Sequence, residues 1–93
     1  MTGSDLRACR KALGLKQREL GALLFTGPSE ICRLEASAEL RVDGLRRPLF
    51  AALHVWCSNN DAAAAQTLGR RISELLAIAG PLPALSALLN RLV

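Results

Sequence analysis

The stretch Leu15-Lys16-Gln17-Arg18-Glu19-Leu20-Gly21-Ala22-Leu23-Leu24, continued by Phe25-Thr26-Gly27-Pro28-Ser29-Glu30-Ile31-Cys32-Arg33-Leu34-Glu35, decides the fold of this chain. Leu20, Leu23 and Leu24 recur at helical spacing, which predicts a helix from about Gln17 to Leu24 with those leucines buried. Phe25, Thr26 and Gly27 break it. Pro28 can occupy the first turn of the next helix, where its missing amide hydrogen would have no intrahelical partner. On that helix Ile31 and Leu34 point inward, while Ser29, Glu30 and Arg33 are left toward solvent. Gly21 is small where the two helices cross, and Leu20 and Leu24 fill the space beneath.

Outward from this core the pattern stays helical. Upstream, Ser4 and Asp5 can cap a helix carrying Leu6, Cys9 and Leu13, and Gly14 supplies a left-handed stop. Downstream, Ala36 to Leu45 is irregular and charged, as expected of a surface loop. A fourth helix is predicted over about Arg47 to Cys57, with Leu49, Ala52, Leu53 and Trp56 on one face. Ser58, Asn59 and Asn60 make a polar break with a natural N-cap, and Asp61 then sits where the helix dipole favours an acid. A long fifth helix should run to about Ala79, to be interrupted by Gly80, Pro81, Leu82 and Pro83. Ala84 to Leu92 complete the pattern as a last amphipathic turn or two. The expectation is an all-α chain of five to six helices, a first unit over residues 1–58 and C-terminal helices over residues 59–93 packed on it.

Composition agrees with that class. Leu and Ala dominate, Tyr is absent, and only Phe25, Phe50 and Trp56 are aromatic, so extended strands have little to build on. At 93 residues one modest core is the default. The formal net charge is +4, and nine of the twelve basic residues precede Pro48, so an acidic partner would meet the N-terminal half. Cys9, Cys32 and Cys57 are odd in number and widely spaced, unlike a zinc site or a disulfide scaffold, and read as buried apolar residues in a reducing compartment. The first residues show no charged start followed by an apolar stretch, so a cytoplasmic location is expected. Leu75 to Asn90 is uncharged but too short and too broken by Gly80, Pro81 and Pro83 to span a bilayer.

The quoted stretch resembles, without a gap, the helix-turn-helix of the lambda-repressor-like (XRE, Cro) family, and the resemblance extends from about Asp5 to Trp56. It implies that the third helix enters the major groove while the start of the second touches phosphate, in a transcriptional regulator for which repression is the family habit. The residues it points to are Gln17, Arg18, Ser29, Glu30 and Arg33, with Arg41, Arg46 and Arg47 meeting the backbone around the following loop and helix. Arg33 could grip a guanine in bidentate fashion and Glu30 accept from a cytosine amine. The resemblance also implies a structural ion pair between Arg10 and Glu35.

Three residues depart from the family pattern. Phe25 stands where a turn glycine is usual, Pro28 removes a polar contact, and Glu30 turns a negative charge toward the groove. They motivate an alternative in which the same scaffold is a protein-interaction module, such as an anti-activator, an antitoxin or an assembly subunit.

Leu68, Ile72, Leu75 and Leu76, then Leu85, Leu88, Leu89 and Leu92, exceed what one small core would need and are expected to form a homodimer interface. A symmetric dimer would present two third helices roughly 34 to 36 Å apart and call for an inverted-repeat operator. His54 is a lone histidine with no second ligand at metal or catalytic spacing. No phosphate loop, persuasive carboxylate pair or nucleophile-histidine pairing is apparent, so neither catalysis nor a metal or other cofactor is expected. The expected partners are double-stranded DNA, a second copy of the chain and, on the alternative reading, another protein.

Overall fold

The computed structural model describes residues 1–40 and 46–92, with side chains to Leu92. Six helices follow one another: α1 Gly3–Leu13, α2 Gln17–Leu23, α3 Pro28–Glu35, α4 Arg46–Asn59, α5 Ala62–Ile78 and α6 Pro81–Leu92. No strand occurs among the described residues. The all-α class and the number of helices are as the hydrophobic spacing predicts.

The helix ends differ from expectation in instructive ways. α1 is capped by Thr2 rather than Ser4 or Asp5: the Thr2 hydroxyl accepts from the Asp5 amide at 3.2 Å, and the Asp5 carboxylate accepts from the Thr2 amide at 2.8 Å. This reciprocal box satisfies two amides that would otherwise lack partners. Asp61 is itself the N-cap of α5, accepting from the Ala64 amide at 2.8 Å, and does not stand behind one. Pro81 and Pro83 do not interrupt the C-terminal segment but open α6. Both fall in the first turn, where a missing N–H breaks no intrahelical bond. The break is confined to Ala79 and Gly80, whose φ of 93° reverses the chain.

A single core runs through all six helices. Leu6, Cys9 and Leu13 of α1, Leu20 and Leu23 of α2, and Ile31 and Leu34 of α3 join Phe50 and Leu53 of α4. Ala65, Leu68 and Ile72 of α5 and Ala84 and Leu88 of α6 complete it. On α4 the fully buried pair is Phe50 and Leu53, whereas Leu49 and Trp56 only lean on the core. α5 crosses α1 so closely that a Cβ on Gly69 would lie 1.6 Å from the Leu13 carbonyl oxygen. The C-terminal helices are therefore built into the core.

That packing corrects part of the expected dimer face. Leu68, Ile72 and Leu88 are buried within the chain itself, at 3%, 0% and 2% exposure. Leu75, Leu76, Leu85 and Leu92 are half-buried against the same core. Of the expected set only Leu89 is exposed, and it is joined at the surface by Ile78 and Leu82. The core absorbed the residues that looked surplus because α5 and α6 close over α1, α2 and α4. The cysteines depart from expectation too, since only Cys9 is buried, Cys57 is half-exposed and Cys32 is exposed.

Candidate nucleic-acid interface

α2, a turn and α3 form the element from which any interface is built. At the crossing, a Cβ on Gly21 would come within 2.9 Å of the Thr26 carbonyl oxygen and 3.0 Å of the Gly27 carbonyl carbon, so this position needs a glycine. The Thr26 amide donates to the Gly21 carbonyl at 2.8 Å and holds the turn shut. Phe25 takes φ = 57°, the one positive-φ non-glycine residue among those described, and the residue is 60% exposed. The turn thus keeps the left-handed conformation usual for glycine while carrying a phenylalanine. A bulky side chain there costs about 1–2 kcal/mol of local conformational energy.

Behind the element sits the ion pair. Arg10 Nε donates to Glu35 Oε2 at 2.6 Å and Nη2 to Oε1 at 3.1 Å, while Nη1 donates to the Leu15 carbonyl at 2.9 Å. Both side chains are largely shielded, at 12% and 5% exposure. Burial pushes the Glu35 carboxyl up, but hydrogen bonds from Arg10 and Gln17 and the positive charges of Arg10 and Arg7 outweigh it and leave the group below its ordinary value. The pair thus locks the end of α1 to the end of α3.

On the outer face of α3, Pro28, Ser29, Cys32 and Arg33 are exposed and Glu30 is half-exposed. Arg33 is not free: its Nε and Nη2 donate to the two Glu30 oxygens at 3.0 and 2.6 Å. The Arg33 hydrogen bond and charge hold the Glu30 carboxyl below its usual range. The exposed edge of α3 is therefore a preformed, charge-compensated pair. Two other residues have structural engagements. The Gln17 amide donates to Glu35 Oε1 at 3.2 Å, and Arg46 Nη2 donates to the Leu24 carbonyl at 2.9 Å, capping the end of α2. Arg18 and Arg47 are exposed, and Arg41 lies outside the described residues.

A contact that the sequence did not advertise anchors α2 from the other side. Glu19 accepts from the Lys16 amide at 3.0 Å through one oxygen and from the Ser73 hydroxyl through the other, tying α2 to α5. Glu19 three residues after Lys16 was a readable N-terminal signal; its partner on α5 was not.

The histidine is not isolated in space. His54 Nδ1 lies 3.8 Å from Cys9 Sγ, and both line a groove with Asp5 and Cys57. Among the described residues no cluster of three or more His, Cys, Asp or Glu could hold a metal ion, and no helix is long and apolar enough to cross a membrane.

No protein-family model and no solved structure matches the chain. A curated protein that it resembles is the hydroxyethylthiazole kinase of Leptothrix cholodnii, 36% identical over 69 residues. The match takes in 74% of this chain and 25% of that protein, so the chain spans about a quarter of the length of the curated relative it matches.

Proposed function

We propose that this chain is a DNA-binding transcriptional regulator that presents α3 to the major groove, acts in the cytoplasm, and represses. The observation that carries the reading is the outward face of α3. Ser29, Cys32 and Arg33 stand exposed on a helix that is otherwise anchored by Ile31, Leu34 and the Arg10–Glu35 pair. Rigid mounting of an exposed helix with polar side chains near its N-terminal end is what base reading requires. On this reading Ser29, Arg33 and Glu30 face base edges, and Arg18 and Arg47 meet phosphates. Gln17 and Arg46 support the fold and contribute little direct contact.

Glu30 and Arg33 act as a unit. The exposed bridge can open, leaving Arg33 for a guanine and Glu30 for a cytosine amine, which makes adjacent G and C a natural target for the pair. The protein is a homodimer in this scheme, joined through the exposed apolar side chains of Leu82 and Leu89 on α6 with Ile78 at the end of α5. No catalytic role is assigned to the chain. The kinase activity named for the Leptothrix protein belongs to a polypeptide about four times the matched length.

The test is selection of random genomic duplex fragments by the purified protein at low salt. A regulator enriches an inverted repeat, and its affinity falls on raising salt with a log-log slope of roughly −0.9 per neutralised phosphate. Failure to retain any fragment overturns the reading. A second reading, a protein-interaction module on the same scaffold, is favoured by the exposed Phe25, Ile78 and Leu82. It predicts no DNA retention.

A further inference from the structure

Cys9 and Cys57 lie 48 positions apart in sequence, on α1 and α4, yet α1 and α4 pack together and the two thiols meet at one groove. The groove encloses about 240 Å³ and is also lined by Asp5, Ala8, His54 and Ser58. Both thiols line this groove, and His54, one helical turn before Cys57, places Nδ1 3.8 Å from Cys9 Sγ. Cys9 is 4% exposed, whereas Cys57 is half-exposed at the groove. One thiol thus faces solvent, a second waits behind it, and an imidazole nitrogen stands beside the second.

We propose that Cys57 and Cys9 form a thiol oxidation site that takes a hydroperoxide as its substrate and closes to an intrachain disulfide. In keeping with that placement, a hydrogen bond from Cys9 holds the Cys57 thiol below its ordinary value, against the opposing effect of burial. The same bond, with burial, pushes Cys9 up. Cys57 is therefore the thiol that ionises more readily, and Cys9 the one that keeps its proton longer. In the first step the Cys57 thiolate attacks the outer oxygen of the hydroperoxide. The S–O bond forms, the O–O bond breaks, and the leaving oxygen departs with a proton as water or an alcohol. In the second, Cys9 gives its proton to His54 and its sulfur attacks the Cys57 sulfenic sulfur. The S–S bond forms and hydroxide leaves, taking the proton as a second water. The two sulfurs are oxidised by two electrons together, and the peroxide oxygens are reduced by the same two. The product staples α4 to α1, a helix on which α3 packs.

Exposure of the full-length reduced chain to stoichiometric hydrogen peroxide, followed by intact mass measurement and non-reducing tryptic mapping, tests this. The expected result is loss of two hydrogens per chain, a fall from three free thiols to one, and a peptide ending at Arg10 linked to the peptide containing Cys57. Cys32→Ala should react at the wild-type rate, and Cys57→Ser should leave Cys9 reduced. If Cys57→Ser fails to fold, the wild-type map alone decides. Oxidation confined to Cys32, a disulfide between two chains, or a Cys57 oxygen adduct that never links to Cys9 would overturn the proposal.

Discussion

Arg10 and Glu35 stand 25 positions apart yet meet in a two-pronged contact, 2.6 Å at its shorter arm, that fastens the end of α1 to the end of α3. Because both groups are mostly shielded, removing either leaves the other with an uncompensated charge. Arg10→Ala or Glu35→Ala should cost about 3 kcal/mol of unfolding free energy. Urea denaturation followed by circular dichroism checks this. A loss within a few tenths of a kcal/mol would mean that the pair is solvated in solution.

The same contact has a consequence for acid stability. The Glu35 carboxyl is lowered from its ordinary value of 4.5, and Glu19 is lowered from 4.5 by the Ser73 and Lys16 hydrogen bonds against an opposing effect of burial. The unfolded chain then binds more protons than the folded one as pH falls below about 4.5, so folding is favoured above that value and is lost on further acidification. Glu35→Gln should flatten this acid limb. Melting temperatures between pH 6 and pH 3 (about the range over which carboxylates titrate) measure the difference.

Phe25 offers a test with the opposite sign. Its φ of 57° suits glycine, and its ring buries little. Phe25→Gly relieves the strain but adds unfolded-state entropy, and the balance should be a gain of about 0.5 to 1 kcal/mol. Denaturant midpoints report it. A loss would show that the ring makes contacts that outweigh the backbone cost.

Gly69 should tolerate nothing larger. A Cβ there would occupy the position of the Leu13 carbonyl, so α5 and α1 would have to separate. Gly69→Ala should destabilise by about 3 kcal/mol, the upper end for overpacking a core. Thermal unfolding compared with Gly27→Ala, where a Cβ meets open space, isolates the steric effect.

How far the chain could be read in advance depended on whether the physical determinant was local. The order of helices followed from leucine spacing and from Gly14, Pro28 and Asp61, all of which act within a turn of their own position. Arg10 and Glu35 were found through the family resemblance, since nothing in their spacing joins them. The Ser73–Glu19 and Arg46–Leu24 contacts were invisible because they arise only when α5 packs on α2 and the first residue of α4 reaches the end of α2. The surplus leucines were misjudged for the same reason. Hydrophobic periodicity marks Leu68, Ile72 and Leu88 as inward-facing but is silent on whether the surface they meet belongs to the same chain. At the candidate interface, the outward direction of Ser29 and Arg33 was legible from Ile31 and Leu34, but the Glu30–Arg33 bridge was not foreseen.

Comparison of wild type, Glu30→Ala and Arg33→Ala, on the duplex recovered by genomic selection and on a scrambled duplex of equal length, tests the central claim most directly. Fluorescence anisotropy at fixed low salt gives the affinities. If α3 reads the groove, Arg33→Ala loses roughly tenfold on the selected duplex with little change on the scrambled one, narrowing the ratio between them. Glu30→Ala, which removes a negative charge and frees Arg33, binds the scrambled duplex more tightly than wild type. Equal affinity of all three proteins for both duplexes, or no binding to either, would contradict the account.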